Sequence, residues 1–372
     1  MSDHTTHGPT HNQARLKVLA TGPAISDLGG VSAFFTNVSE HLAVDNEVEY
    51  LEIGSTRGRT LHPVSDQIAF RQRIRSANFD LVQINPTLLQ KSFFRDGLFA
   101  FQAKRHRLPL LVFFHGWSYE FAQKVERQWM RFFSSTFGRA DGFIVLDPGV
   151  EEILVRWGIK APIYLETTAI SEGLIAGFDI EKKLASQRQS NETLRLLFLA
   201  RLEPDKGLYE TVDACALLLG KGHHIRLVIA GDGSEAARIQ IYAKDKLGEN
   251  VHFPGYVRGE QKSELFKEAN AFVMPSYREG LPISVLEAMA FGLPIVTRPV
   301  GGLKELLVNG KHGFVTESKD PLVIADLIEK LIDQPQLAEG ISRNVHKLAK
   351  ETFTASSVAA RFSRIFREIS ET

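Results

Sequence analysis

The sequence predicts an α/β protein with two consecutive doubly wound domains, each built on a parallel sheet. Short apolar segments recur along the chain with longer amphipathic stretches between them, which is the pattern of repeated βαβ units. The first series of segments ends near residue 146, and a second begins at 194 after a polar stretch at 181–193. With 372 residues, the chain can give each domain its own core. We therefore expect a ligand cleft where the strand ends of the two domains face each other.

The first domain is predicted to contain strands at 16–20, 48–53, 81–84, 110–114 and 142–146. A glycine loop, SDLGGVS, separates the first strand from apolar residues at helical spacing. This layout forms the phosphate-facing turn of doubly wound sheets, so Gly29 and Gly30 are candidate ligand contacts, with a plain tight turn as the alternative. His115 follows the fourth strand, at the edge where such sheets bind ligands. A structural histidine is the alternative there.

The second domain opens with the segment ARLEPDKG, which carries two cations across a turn. Arg201 follows the strand predicted at 194–200, and Lys206 precedes the helix predicted at 208–219. An arginine fork and a lysine at one helix N-terminus would neutralise a diphosphate, although two solvated cations are the alternative. Further elements are predicted at the following positions: strands at 225–230, 251–253 and 271–274, and helices at 235–246 and 263–269.

The stretch 275–305 contains two glutamates around a helix start. Glu279 lies in a glycine-bearing loop, Pro282 suits the first helical turn, and Glu287 lies inside the helix. The loop can bring both carboxylates to one cleft beside the positive helix end, which suits a phosphorylated, hydroxyl-rich ligand. The alternative is that Glu279 caps the helix and Glu287 is solvated.

Composition narrows the function classes. Lys plus Arg and Asp plus Glu both number 44, so no overall field favours nucleic acid. The single cysteine, Cys215, fits a reducing compartment, and the N-terminus lacks the apolar region of a signal peptide. No Asp-x-Asp, metal-ligand spacing or G-x-S-x-G elbow occurs, so no metal site is predicted. We expect a cytoplasmic protein.

Two segments, 91–107 and 126–139, interleave large apolar residues with basic ones. Such amphipathic helices can lie on anionic membranes, which predicts peripheral contact with the inner face of the membrane. The alternative is a core-facing helix with a solvated basic back. The residues of this candidate membrane or acceptor surface are Lys91, Arg95, Lys104, Arg105, Arg107 and Arg131.

Together these segments resemble the retaining glycosyltransferases of the two-Rossmann-domain (GT-B) architecture, family 4. The resemblance is dense over 194–372 and patchy before it. The matching segments, in the family's order, are LGGVS, His115-Gly116, ARLEPDKG, IAGDGSE, FPGYV, PSYREGLPISVLEAMAFGLPIV, GGLKELLVNGKHGF and FTASSVAARFSRIFREI.

The resemblance implies a role for each matching residue. Arg201 and Lys206 would hold the donor diphosphate, and Gly30, beside Gly29, would let backbone approach the phosphates. Glu287 would bind the ribose, and His115 would lie beside the donor sugar. The remaining donor contacts implied are Glu279, Gly280 and Leu281 on the sugar and Val257 at the base.

The implied reaction moves a hexose from a UDP- or GDP-sugar to a carbohydrate or lipid-linked glycan, with no metal or other cofactor. A donor phosphate oxygen would deprotonate the acceptor on the same face. A nucleotide-sugar epimerase and a non-catalytic nucleotide-sugar-binding protein are the alternatives. The implied divisions are a polar tail at 1–14, an acceptor-binding domain at 15–188, a donor-binding domain at 189–354, and a helix at 355–372 that packs back on the first domain.

The sequence departs from the family pattern in two places. YLETTAISEGL at 164–174 replaces a Pro-Asn-Gly-Val-Asp-like turn, and Asp147-Pro148 replaces a more usual serine. These changes concern interdomain contacts and acceptor recognition.

Overall fold

The computed structural model describes residues 14–27, 29–54, 62–189 and 193–372. The predicted tail therefore lies almost wholly outside the described residues. The strands are β1 (Leu16–Gly22), β2 (Asn46–Glu52), β3 (Leu81–Ile84), β4 (Thr87–Leu88), β5 (Leu110–Phe114), β6 (Gly116–Trp117), β7 (Gly142–Val145), β8 (Ile163–Leu165), β9 (Leu194–Leu199), β10 (Ile225–Ala230), β11 (Val251–Gly255), β12 (Ala271–Met274), β13 (Ile295–Thr297) and β14 (Gly313–Val315).

Helices alternate with these strands along both halves of the chain. They are α1 (Gly30–Asp45), α2 (His62–Ser76), α3 (Gln90–Arg105), α4 (Tyr119–Lys124), α5 (Met130–Ser135), α6 (Pro148–Arg156), α7 (Ile180–Gln189), α8 (Leu208–Gly220), α9 (Ala236–Leu247), α10 (Gly259–Glu268), α11 (Ile283–Ala290), α12 (Leu303–Leu306), α13 (Pro321–Asp333), α14 (Pro335–Thr352) and α15 (Ala355–Ser370). A π-helical segment, Val125–Trp129, joins α4 to α5.

Two six-stranded sheets confirm the predicted pair of parallel-sheet domains. The second sheet has the order β11-β10-β9-β12-β13-β14, which is the Rossmann order 3-2-1-4-5-6. The first has the order β2-β1-β3-β5-β7-β8, the flavodoxin order with one added strand. Central strands such as β5 and β12 are buried along their whole length because helices cover both faces.

The strand order reverses between β1 and β3 in the first sheet and between β9 and β12 in the second. Ligands of open α/β sheets bind at such a switch point, beyond the carboxyl ends of the strands. We therefore expect a ligand site in the loops that follow these four strands.

Helix α7 belongs with the second domain. Lys183 Nζ donates to Phe266 O at 2.9 Å and to Phe291 O at 3.0 Å, near the ends of α10 and α11. These carbonyls would otherwise be orphans at the helix ends. Helix α7 thus packs on helices of the second domain, although it lies before the boundary expected at 188/189.

The C-terminal helix crosses back to the first domain. Helix α15 packs on α1, where the Phe362 and Phe34 rings lie 5.1 Å apart and Asn46 Nδ2 donates to Ser363 Oγ at 2.8 Å. Ile170, in the unusual 164–174 stretch, bonds the chain just before α15 through its N–H to Phe353 O at 2.8 Å. That stretch therefore supplies interdomain contacts of its own.

Candidate active site

Gly29 and Gly30 lie at the start of α1, after β1, where the backbone is exposed. Gly29 and Gly30 are both exposed, and Gly30 is the first residue of the 16-residue helix α1. Among the described residues, no atom beyond the immediate chain neighbours lies within 4 Å of the place that a Cβ would occupy at either glycine. Backbone N–H groups at a helix N-terminus favour an anion, so this loop suits the predicted phosphate contact.

His115 follows β5 and is held as a neutral ring. Its Nε2 lies 3.1 Å from Asn85 Oδ1, and Asn85 Nδ2 donates to Thr21 O at 2.8 Å. The Phe113 ring lies 3.7 Å from the imidazole, and burial lowers the pKa of His115 to about 3. Since Asn85 presents an oxygen, Nε2 carries the hydrogen and Nδ1 is an acceptor. Nδ1 is buried without a hydrogen-bond partner.

Lys206 and Glu279 form a nearly buried ion pair. Lys206 Nζ lies 2.7 Å from Glu279 Oε1, and the two side chains are 10% and 11% exposed. Lys206 ends a 3₁₀ turn, Pro204–Lys206, and Gly207 follows in the left-handed region at φ 74°. A Cβ at Gly207 would lie 2.5 Å from Pro275 O, so glycine is required for β9 and β12 loops to approach this closely.

Arg201 lies at the end of β9 and is exposed. Throughout the described ranges, no hydrogen bond or ion pair involves its guanidinium group. Of the two predicted cations, Lys206 is thus already paired and Arg201 is open to solvent.

Glu279 is not a helix cap. Helix α11 begins at Ile283, with Pro282 as its N-cap and no side-chain cap hydrogen bond. The predicted helix start was one residue early, because Pro282 keeps extended backbone geometry at ψ 124°. Glu279 therefore does not cap α11, and its side chain pairs with Lys206 instead.

Glu287 is buried, so its interpretation as a solvated helical residue was wrong. It is 4% exposed, and Lys262 Nζ donates to its Oε1 at 2.7 Å. Oε2 also lies 2.6 Å from Lys262 Nζ but accepts no well-directed hydrogen bond. Burial raises the pKa of Glu287, while Lys262 opposes that shift. Sequence reasoning missed Lys262, whose place in a polar helix gave no signal.

The remaining predicted donor contacts divide between base and sugar sides. Val257 follows β11 and is 5% exposed. Gly280 is at the domain interface, where a Cβ would lie 3.3 Å from His115 O. Leu281 O accepts from Thr168 Oγ1 of the first domain at 3.4 Å. His115, Glu279 and Gly280 line one narrow cleft.

Two cations of the candidate membrane or acceptor surface are paired with carboxylates. Arg95 pairs with buried Asp96 at 2.6 Å, and Lys104 pairs with Asp141 at 2.7 Å. Neither is therefore available as a free surface charge. The exposed cations of the set are Lys91, Arg105, Arg107 and Arg131.

The described residues offer no cluster of three or more His, Cys, Asp or Glu side chains that could hold a metal. Among the helices described, none combines the length and apolar character that crossing a bilayer requires.

Comparisons with known proteins match both halves of the chain. The family model described as "Glycosyl transferases group 1" matches residues 179–348, and the "Glycosyl transferase 4-like domain" model matches 32–164. CapM, a capsular polysaccharide biosynthesis glycosyltransferase of Staphylococcus aureus, is 28% identical over 168 residues, covering 45% of this chain and 44% of CapM. The alpha-D-kanosaminyltransferase of Streptomyces kanamyceticus is 29% identical over 175 residues, covering 47% and 45%. The matches span about half the length of these relatives.

Solved structures match over nearly the whole chain. Anabaena HepE in complex with UDP-glucose has a TM-score of 0.73 at 17% identity, covering 95% of this chain and 100% of that one. Sucrose-phosphate synthase from Thermosynechococcus elongatus has a TM-score of 0.77 at 19% identity, covering 95% and 99%. These likenesses show the fold. The chain belongs to the group 1 glycosyltransferases and has the GT-B architecture.

Proposed function

We propose that this protein is a retaining glycosyltransferase that moves a hexose from a UDP- or GDP-sugar to a carbohydrate or lipid-linked glycan without a metal. The observation that carries the proposal is the Lys206–Glu279 pair, which lies where the loops after β9 and β12 meet and borders the cleft of His115. The names of the relatives support it, since one acts in capsular polysaccharide biosynthesis and one structure contains UDP-glucose.

The charges suit departure of a diphosphate. Glycosyl transfer passes through an oxocarbenium-like state while negative charge develops on the leaving group. Nearly buried Lys206, just before α8, supplies one cation that is held in place, and exposed Arg201, after β9, supplies a second. Preorganised charges of this kind stabilise a transition state without reorganisation. Protein cations then take the part that a metal takes in other transferases.

The donor is expected to rearrange the ion pair. With no donor bound, Glu279 neutralises the Lys206 ammonium at 2.7 Å. A phosphate oxygen at Lys206 would take over that neutralisation and release Glu279 to accept sugar hydroxyl hydrogens. His115 Nδ1, buried and without a partner, provides a second acceptor beside the sugar.

Glu287 is suited to bind the ribose. Its Oε2 accepts no well-directed hydrogen bond in a buried position, and a ribose hydroxyl would supply one. Lys262 holds the carboxylate in place from α10. No protein nucleophile is assigned, and a donor phosphate oxygen takes the acceptor proton on the retained face.

The first prediction concerns the contribution of the Lys206–Glu279 ion pair to the free energy of unfolding. Glu279→Gln should lower the free energy of unfolding by about 3 kcal/mol, because it leaves a nearly buried ammonium without its counter-charge. Adding Lys206→Met should restore most of the loss. Urea denaturation measures both effects.

The matched control is Glu264→Gln, which breaks a pair of the same 2.7 Å length to Lys267 with side chains 51% and 38% exposed. Its effect should stay below about 1 kcal/mol. A Glu279→Gln protein as stable as the wild type would contradict the account of the pair.

The second prediction concerns turnover. A panel of UDP-, GDP- and ADP-sugars should give one preferred donor by thermal shift and by hydrolysis. Lys206→Ala should lower kcat on that donor by about 30-fold or more, a loss of at least about 2 kcal/mol of transition-state stabilisation. EDTA should change nothing, and the product should keep the donor's anomeric configuration by NMR.

Lys267→Ala removes a surface lysine and serves as the control. Near-normal turnover in Lys206→Ala would remove its assigned role, and dependence on a divalent ion would contradict the metal-free mechanism. Binding without turnover would favour a nucleotide-sugar-binding protein, and interconversion of donor sugars would favour an epimerase.

We also propose that the protein is cytoplasmic and contacts an anionic membrane through α3 and the helices after it. Exposed Leu98, Phe101 and Trp129 lie on these elements, and the Phe94 ring contacts Trp129 at 4.9 Å between centroids. The exposed basic residues of the same elements could bind lipid head groups.

The third prediction is salt-sensitive binding to vesicles that contain an anionic lipid. Neutralising Arg105, Arg107 and Arg131 together should weaken that binding, while neutralising Lys244 and Lys311 of the second domain should not. Equal binding by both variants, or none by the wild type at low salt, would leave the basic residues as a solvated face.

A further inference from the structure

Three side chains of the first domain line the cleft opposite Glu279 and have no part in the donor chemistry above. They are Trp117 on β6, Tyr119 at the start of α4, and Asp147 after β7. His115 and Glu279 line the same cleft. Whatever these three side chains bind would therefore lie against the donor sugar.

The two carboxylate oxygens of Asp147 accept hydrogen bonds from different partners. Oδ1 accepts from Gly149 N at 2.8 Å and so caps α6. Oδ2 accepts from Tyr119 OH at 2.5 Å. Each carboxylate oxygen has two lone pairs, so both can accept a further hydrogen from a ligand.

The Asp147–Tyr119 contact is built into the local backbone. A Cβ at Gly149 would lie 2.9 Å from Tyr119 OH, so glycine leaves the room that the phenol occupies. Burial and the bond to Asp147 raise the pKa of Tyr119, which keeps the phenol protonated. The residue is 45% exposed and lines the cleft.

The indole N–H of Trp117 is a hydrogen-bond donor that has no acceptor among the described residues. Its Nε1 is buried and has no hydrogen-bond partner in the described part of the chain, although its ring packs on Phe114 at 5.1 Å and Trp157 at 5.6 Å. An unpaired buried N–H is unfavourable, and a ligand oxygen would relieve it. Carboxylate, phenol and indole together match the hydroxyl groups of a sugar, and the aromatic faces match its C–H surface.

The charges of the residues that line the cleft indicate which class of ligand it binds. The residues that line this cleft include no lysine or arginine, and they include the Asp147 carboxylate besides Glu279, which is paired with Lys206. A phosphate or carboxylate group would be repelled here, and an uncharged hydroxyl-rich ring would not.

We propose that Trp117, Tyr119 and Asp147 form the subsite that binds an uncharged sugar unit of the acceptor, with Asp147 and Tyr119 on its hydroxyl groups. This inference rests on the proposed function. Asp147 is a positioning residue here, since it holds the acceptor and moves no proton. A serine at this place would cap α6 equally well, so the carboxylate adds something that the cap does not need.

Asp147→Ser is the informative variant because it keeps the helix cap and removes the carboxylate. Tyr119→Phe removes the phenol hydroxyl alone. The control is Glu120→Gln, which removes a neighbouring carboxylate that is 84% exposed. Each variant is assayed with the donor that the wild type prefers. The assays measure hydrolysis of the donor by water, transfer to octyl glycosides of neutral hexoses, and transfer to hexose 6-phosphates.

We expect Asp147→Ser and Tyr119→Phe to unfold near the wild-type temperature and to hydrolyse donor within about twofold of wild type. Their KM for the neutral acceptor should rise about tenfold or more, with the donor KM unchanged and Glu120→Gln normal. A merely structural role would move hydrolysis and transfer together.

An unchanged acceptor KM, an equal loss of hydrolysis and transfer, or a wild type that prefers phosphorylated acceptors would overturn the subsite. So would donor hydrolysis with transfer to no neutral glycoside. In each of these cases the proposed transferase function survives. Absence of any donor turnover in the wild type would instead overturn that function, and the subsite with it.

Discussion

The rest of the site depends on one ion pair, between Lys206 after β9 and Glu279 after β12. These are the two strands at which the second sheet reverses its order, so the pair closes the switch-point crevice from both sides. The pair is satisfied at 2.7 Å, which keeps a nearly buried cation in place. In the proposed function, the same cation meets the diphosphate without having to be drawn out of water.

The first domain completes the site through close backbone packing. A Cβ at Gly302 would lie 2.4 Å from Leu146 O, and one at Gly301 would lie 2.3 Å from Glu279 O. Gly302 N also donates to Gly280 O at 2.7 Å. The glycine pair thus lets the Glu279 loop contact the end of β7, which carries Asp147 a step further along. The Glu279 loop and the end of β7, where we propose the donor and acceptor sides of the cleft, therefore pack on the same turn.

Sequence patterns predicted the two parallel sheets, because buried strands are continuous apolar runs whatever their order. They did not give the order of either sheet, which depends on which strands pair. They placed His115 after a strand and Lys206 and Glu279 just before helices, but the burial of Glu287 required its tertiary partner, Lys262. For the same reason Arg95 and Lys104 looked like surface charges until Asp96 and Asp141 were seen beside them.

The most direct measurement of the central claim is calorimetric titration of wild type and Lys206→Met with the nucleoside diphosphate of the preferred donor and with the corresponding nucleoside. The account predicts that the substitution weakens diphosphate binding by about 10- to 100-fold, the worth of a charge-assisted hydrogen bond, and leaves nucleoside binding unchanged. Equal diphosphate affinity in both proteins, or an equal loss for the nucleoside, would contradict the claim that Lys206 acts on the phosphates.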